Sequence, residues 1–140
     1  VFFNTATIEE AGLDYAAVKQ AVVNRLKKEK IVHYAFDMEK TSTESIPEQL
    51  KFRAINGYNR ERSGGVQIVL KPAHYEYDVA KGTSHGAWNP YDIHIPLVFM
   101  GWHIQHGATT QPHYMTDIAA TVSALLHIQA PNGCIGTPIF

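Results

Sequence analysis

Apolar positions recur at three- and four-residue spacing from Leu13 through Ala17, Val18, Ala21 and Val22 to Leu26, which predicts a helix over about 14–29 with Asp14 as its N-cap. Lys27, Lys28 and Lys30 fall in its last turn, where they complement the helix dipole. They read as a solvated helix end rather than an anion site. Ile31 to Met38 alternates, with Val32, Tyr34, Phe36 and Met38 set against Ile31, His33, Ala35 and Asp37, as a half-buried strand does. Glu39 to Ser45 is polar and reads as loop. Ile46-Pro47-Glu48 opens a helix that runs to about Asn56 and stops at Gly57. Asn59 to Gly65 is a turn, and Val66 to Lys71 is a strand ended by Pro72. The start of the chain, Val1 to Ile8, is β-prone through Phe2, Phe3, Thr5, Thr7 and Ile8, with a turn over Glu9 to Gly12.

The second half is less regular. Ala73 to Pro90 carries His74, Tyr75, Tyr77, Gly82, His85, Gly86, Trp88 and Asn89, more aromatic, His and Gly content than a connector needs, which marks it as functional. Ile93 to Met100 is mostly apolar and reads as a strand buried on both faces. Gly101 to His113 is loop. Thr116 reads as the cap of a helix to about His127 with Ile118, Ala119, Val122, Leu125 and Leu126 on its core face. Pro131-Asn132-Gly133 is a turn before an extended end. Strands and helices mix along the chain, which implies an α/β (mixed α+β) fold with helices packed on a mixed sheet, residues 1–140 forming a single domain.

Composition narrows the function. At 140 residues with 45% apolar content the chain can build a core. Lys plus Arg numbers 12 against 13 for Asp plus Glu, a net charge of −1, so the basic surplus that phosphate backbones require is missing and no nucleic-acid-binding surface is expected. No apolar run reaches the roughly 18 residues of a membrane span. One cysteine, Cys134, excludes an internal disulfide framework and a cysteine-cluster zinc site. A start at Val1 rather than Met reads as a mature product or a cut from a longer protein.

Eight histidines stand out, six of them between residues 74 and 113. His103 and His106 are three apart but lack the partners of a zinc-finger pair, and read as loop histidines. His33 and His127 sit on regular elements as surface or capping groups. His74 and His113 carry no signal. His85 differs, because its neighbours in Lys81-Gly82-Thr83-Ser84-His85-Gly86 are small enough to let an ion or phosphate approach the backbone, which makes it a candidate metal ligand. His94, in Asp92-Ile93-His94-Ile95-Pro96, reads as a structural ring that satisfies backbone groups or pairs with Asp92. Cys134 reads as a small buried side chain before a nucleophile. Asn59-Arg60-Glu61-Arg62 reads as a charged turn before a phosphate site. No P-loop and no Gly-x-Gly-x-x-Gly is present.

Gly82-Thr83-Ser84-His85-Gly86, Tyr91-Asp92-Ile93-His94-Ile95-Pro96-Leu97, Thr116 to Leu126 and Pro131-Asn132-Gly133-Cys134-Ile135-Gly136-Thr137-Pro138-Ile139 together resemble the C-terminal part of the alkaline phosphatase superfamily. The branch they resemble is that of the phosphate-irrepressible bacterial phosphatases, relatives of the type I phosphodiesterases and nucleotide pyrophosphatases. The likeness reaches back to Asn56-Gly57-Tyr58-Asn59 and Arg62-Ser63-Gly64. It implies a fragment of the alkaline-phosphatase-like fold, the C-terminal portion of a zinc-dependent phosphoric ester hydrolase that is periplasmic or secreted. It implies that His85 ligates one of two catalytic zinc ions. The substrate class it implies is a phosphate ester, most directly a monoester. A phosphodiesterase or nucleotide pyrophosphatase, and a non-catalytic binding module retaining the fold, are the alternatives.

The departures are as informative. The family's Asp-His-Gly ligand motif and its Thr or Ser nucleophile loop are absent from these residues, and Ala120 stands where the family's helix usually has proline. No catalytic residue is therefore assigned within the chain. Alone, it is expected neither to hydrolyse phosphate esters nor to bind zinc tightly, because zinc sites take three or four protein ligands. It is expected to pack on an N-terminal portion. Without that portion, apolar surface near Phe2, Phe3 and Trp88 would be open or covered by another copy.

Overall fold

The β-prone start of the chain is the first place where the computed structural model, which describes residues 1–75 and 85–140, departs from that reading. Thr5–Glu10 is a helix, α1. Asn4 caps it by accepting the Thr7 N–H at 3.2 Å, a local bond that outweighs the weak strand preference of Thr5, Thr7 and Ile8. Val1 to Asn4 are not strand either, although Val1 lies against β-prone Val66, its nitrogen donating to the Val66 carbonyl at 2.7 Å. Phe3 turns inward and meets the Tyr15 ring edge-on at 5.6 Å.

Asp14 caps α2 (Tyr15–Leu26) as predicted, accepting from Ala17 N–H at 2.9 Å. The helix ends earlier than expected, so Lys28 and Lys30 lie beyond it, and Arg25 is the cation of its last turn. Its inward face is also rotated. Val23 and Lys19 are buried, whereas Leu13, Ala17 and Ala21 are exposed.

β1 (Val32–Asp37) pairs antiparallel with β2 (Val66–Leu70), Tyr34 opposite Val69 and Asp37 opposite Val66, with an irregularity between Val32 and Tyr34 that leaves His33 outside the register. β1 is covered on both sides. Phe36, Met38, Leu50 and Val69 form the core on one face, with Tyr34, Ile46, Ala54, Tyr58 and Trp88 packed around them. α2 lies against β1 on the other, where Lys19 reaches Asp37. The segment expected as loop after β1 is a 3₁₀ helix, Met38–Thr43, capped by Asp37 accepting from Glu39 N–H at 3.0 Å. α3 (Glu48–Gly57) then supplies Leu50 to the core, with Pro47 at its N-cap. Helices thus pack on a sheet, as expected, and among the described residues that sheet is the β1–β2 pair. A short helix, α4 (Pro90–Ile93), closes this unit, which runs from Val1 to His94.

The second unit, Ile95–Phe140, corrects two expectations. Ile93–Met100 forms no strand, and Val98 and Met100 are 81% and 94% exposed. An apolar run is only eligible for burial; a strand also needs a ladder partner. α5 (Asp117–Leu125) exists, but its cap and its buried face are not the predicted ones. Thr116 has helical backbone angles and makes no capping bond. The Asp117 carboxylate, at the first helical position, bonds outside the helix, accepting from Tyr114 N–H at 2.9 Å and Thr137 N–H at 3.0 Å. The buried face is Asp117, Ala120, Thr121 and Ser123, while Ala119, Val122 and Leu126 are exposed. Residues 137–139 run along this polar face: Thr121 Oγ1 accepts from Ile139 N–H at 3.1 Å and donates to the Asp117 carbonyl at 2.7 Å. Gly136 permits the approach, since a Cβ there would collide with the Thr116 carbonyl.

The Tyr114 and Thr137 amides hold the Asp117 carboxyl below the ordinary 3.8, helped by His113 at 3.9 Å. A depressed carboxyl stabilises the fold above its unfolded value and ceases to do so as pH falls through the lower folded value. The Thr137 amide proton shift is therefore expected to titrate with a midpoint below 3.8, read by NMR; a midpoint at or above that value would contradict the anchoring role.

Candidate functional site

The loop that carries His85 is held at its two ends. At one, Ala73 N–H donates to the Tyr91 hydroxyl at 2.9 Å, which ties residues eighteen apart. At the other, Trp88 packs on the Phe36 core, its ring 6.3 Å from that of Tyr34, and Asn89 is buried. Pro90 starts α4, and Asp92 N–H returns to the Asn89 carbonyl at 2.9 Å. Between these anchors the His85 side chain is 95% exposed. Residues 76–84, with Tyr77 and the Gly82-Thr83-Ser84 part of the motif, lie outside the described residues.

Asp92 organises residues 85–87. Its Oδ1 lies 3.0 Å from His85 Nδ1, and its Oδ2 accepts from Gly86 N–H at 2.9 Å and Ala87 N–H at 2.7 Å. The His85 bond, with the Gly86 and Ala87 amides behind it, holds the carboxyl below its ordinary value, so it is ionised at neutral pH. An ionised carboxylate has no proton to give, so Nδ1 is the donor in this contact, and in a neutral imidazole the lone pair then falls to Nε2. Gly86 adopts φ +119°, a backbone angle open to glycine, which lets two successive amides converge on one oxygen.

The other expectations fare unevenly. Asp92 pairs with His85 and not with His94, which is exposed at the end of α4 rather than on a buried strand. His103 lies against Trp102 with the rings tilted by 51° and their centroids 3.8 Å apart, and lines a cleft of about 450 Å³ in the second unit together with His127 and Phe140. His33 stacks on Tyr34, and His74 Nδ1 lies 3.0 Å from the Pro72 carbonyl. Cys134 is a half-buried thiol. Asn59 closes the charged turn by accepting from Glu61 and Arg62 amides, and Arg60 pairs with Glu39 at 3.5 Å. Among the described residues no group of three or more His, Cys, Asp and Glu side chains could hold a metal ion.

Two features escape the sequence reading. Asp92 as the partner of His85 has no periodic signal; its only trace is the Asn89-Pro90 start of a short helix. Residues 82–86 also spell Gly-x-Ser-x-Gly, the pattern of a nucleophile elbow. An elbow needs a helix directly after the serine, and residues 85–88 carry none.

No family model matches the chain. It is 49% identical over 139 residues to alkaline phosphatase PhoV of Synechococcus elongatus, covering 99% of this chain and 25% of that protein. It is 47% identical over 139 residues to alkaline phosphatase PafA of Elizabethkingia meningoseptica, covering 99% and 26%. A Myroides odoratus protein named calcium-transporting ATPase is 44% identical over 140 residues, with 26% of its length covered. The crystal structure of wild-type PafA superposes with a TM-score of 0.95 over 99% of this chain and 27% of that one. The chain therefore has the fold of the corresponding part of an alkaline phosphatase and spans about a quarter of the length of the relatives it matches. Two of those three relatives carry the name alkaline phosphatase, which agrees with the resemblance read from the motifs. Among the described residues no helix is long and apolar enough to cross a membrane.

Proposed function

We propose that the chain is the C-terminal portion of a zinc-dependent phosphomonoesterase of the alkaline phosphatase superfamily, periplasmic or secreted, and that it contributes His85 as one metal ligand together with part of the sheet. The observation that carries this reading is the near-complete superposition on one stretch of PafA at 47% identity. The donor chemistry of the loop fits the metal: an imidazole whose Nδ1 is taken by a carboxylate offers Nε2, the arrangement that protein zinc sites favour. When bound, two zinc ions would supply positive charge to the attacking and leaving oxygens of a phosphate ester. This chain's own part is to keep His85 presented while Trp88, Asn89 and Tyr91 hold the loop to the first unit.

The nucleophile, a Thr or Ser, and the remaining ligands come from outside these residues. One imidazole does not hold zinc against water, so the 140 residues alone neither bind it tightly nor hydrolyse esters. The exposed apolar side of α5, with Val122 and Leu126, packs in this reading on the rest of the protein.

The test compares the full-length protein, its His85→Ala variant and the 140-residue chain, assayed for bound zinc and for hydrolysis of p-nitrophenyl phosphate and its bis-ester. The wild type is expected to prefer the monoester and the short chain to be inactive. His85→Ala is expected to lose zinc, and more activity than the roughly 10–100-fold typical when a ligand's outer partner is removed. Preference for the diester makes the protein a phosphodiesterase. Full activity and zinc content in His85→Ala remove the residue from the site.

A further inference from the structure

We propose that Asp92 is a positioning residue for His85: it sets the imidazole as the Nδ1–H tautomer and thereby makes Nε2 the nitrogen offered to the metal. The inference rests on the reading of His85 as a ligand and deepens it. The arrangement has three parts. The Asp92 side chain is 10% exposed and that of His85 is 95% exposed, so a seated acid holds a presented ring. Both carboxylate oxygens are committed, Oδ1 to Nδ1 at 3.0 Å and Oδ2 to the Gly86 and Ala87 amides at 2.9 and 2.7 Å. The carboxylate cannot rotate away from the ring without releasing the Gly86 and Ala87 backbone. The short helix α4 fixes where Asp92 starts from, through the Asp92 N–H bond to Asn89 and the Tyr91 hydroxyl on Ala73.

A residue that only closed a turn would account for the Gly86 and Ala87 bonds. It would not require the Nδ1 contact, and the two roles separate by substitution. Asp92→Asn keeps the shape of the side chain. Its amide oxygen can go on accepting from Gly86 and Ala87, which leaves the NH₂ group facing His85 Nδ1. A donor there turns Nδ1 into an acceptor and moves the ring proton to Nε2, the atom a metal would need. The loop survives and the tautomer inverts.

The experiment uses the full-length protein with ¹⁵N-labelled histidine, wild type against Asp92→Asn and His85→Ala. Two-bond ¹⁵N–¹H correlations of the metal-free protein report the His85 tautomer, with His85→Ala providing the assignment. Competition of Zn²⁺ against a chromophoric chelator reports affinity. The expected result is Nδ1–H in the wild type, Nε2–H in Asp92→Asn, and a loss of zinc affinity of about 10–100-fold in that variant. If His85→Ala leaves zinc affinity unchanged, the ligand reading fails and the inference with it. If His85→Ala weakens zinc but Asp92→Asn changes only one of tautomer and affinity, or neither, the ligand reading stands and the positioning role is overturned.

Discussion

Replacing Lys19 with methionine is expected to destabilise the Val1–His94 unit by about 3–5 kcal/mol, the range for breaking a buried ion pair from one side. Lys19 is 2% exposed, and its Nζ donates to Asp37 Oδ1 at 2.9 Å and to Glu39 Oε2 at 2.6 Å. The Tyr15 ring lies 5.1 Å from the ammonium. Burial works against the charged amine, yet the bonds to Glu39 and Asp37 outweigh it, and the pKa of Lys19 is raised above 10.5. This contribution is therefore complete at neutral pH and is lost only as pH rises through that raised value. Methionine fills the space of the lysine stem but strands the Asp37 carboxylate, which is 7% exposed. Glu39 is far better hydrated and suffers less. Urea unfolding measures the loss. The double variant Lys19→Met/Asp37→Asn removes the stranded charge and keeps an oxygen for the Glu39 amide, so it is expected to recover a large part of it. A double variant no more stable than the single would place the cost in packing instead.

Phe36→Ala should cost about 3–5 kcal/mol as well, for a different reason. The ring is fully buried among Met38, Leu50 and Val69, with Tyr34, Tyr58 and Trp88 around them. Truncation removes the transfer energy of the ring and leaves a cavity that β1 and α3, held by their own hydrogen bonds, cannot close. The same core seats Trp88, three residues beyond His85. The variant should therefore also broaden the amide signals of Gly86 and Ala87 under conditions where the unit is still folded. Phe36→Leu, which refills most of the volume, should lose far less stability. Equal losses for Leu and Ala would point to a specific aromatic contact rather than to volume.

The His85 loop was partly legible in the sequence. Its small, aromatic and histidine residues mark it as more than a connector, and the motif around His85 singles out that ring. Asp92 was visible only as a neighbour of His94, because a histidine and an aspartate seven residues apart in a loop match no regular period. They meet only through the turn at Gly86 and the short helix at Pro90. The charged turn at Asn59 was legible for the opposite reason: its bonds to Glu61 and Arg62 lie within three residues and are written in the local order.

The same division runs through the whole chain. Asp14, Pro47, the alternation over 31–38 and the apolar run over 66–71 ended by Pro72 by themselves marked where α2 and α3 begin and where the two strands lie, since caps, proline geometry and pleat are local interactions. Tertiary structure alone decided which faces those elements turn inward. α2 buries Lys19 because Asp37 and Glu39 wait opposite it on β1 and the 3₁₀ helix, which no helical period could announce. α5 buries Asp117 and Thr121 because residues 137–139 supply amides to bond them, while Val122 and Leu126 stay outside. The apolar run at 95–100 likewise has the composition of a strand without the ladder that would make it one. An amphipathic pattern states what an element can bury; the neighbours that folding brings to it decide what it does bury.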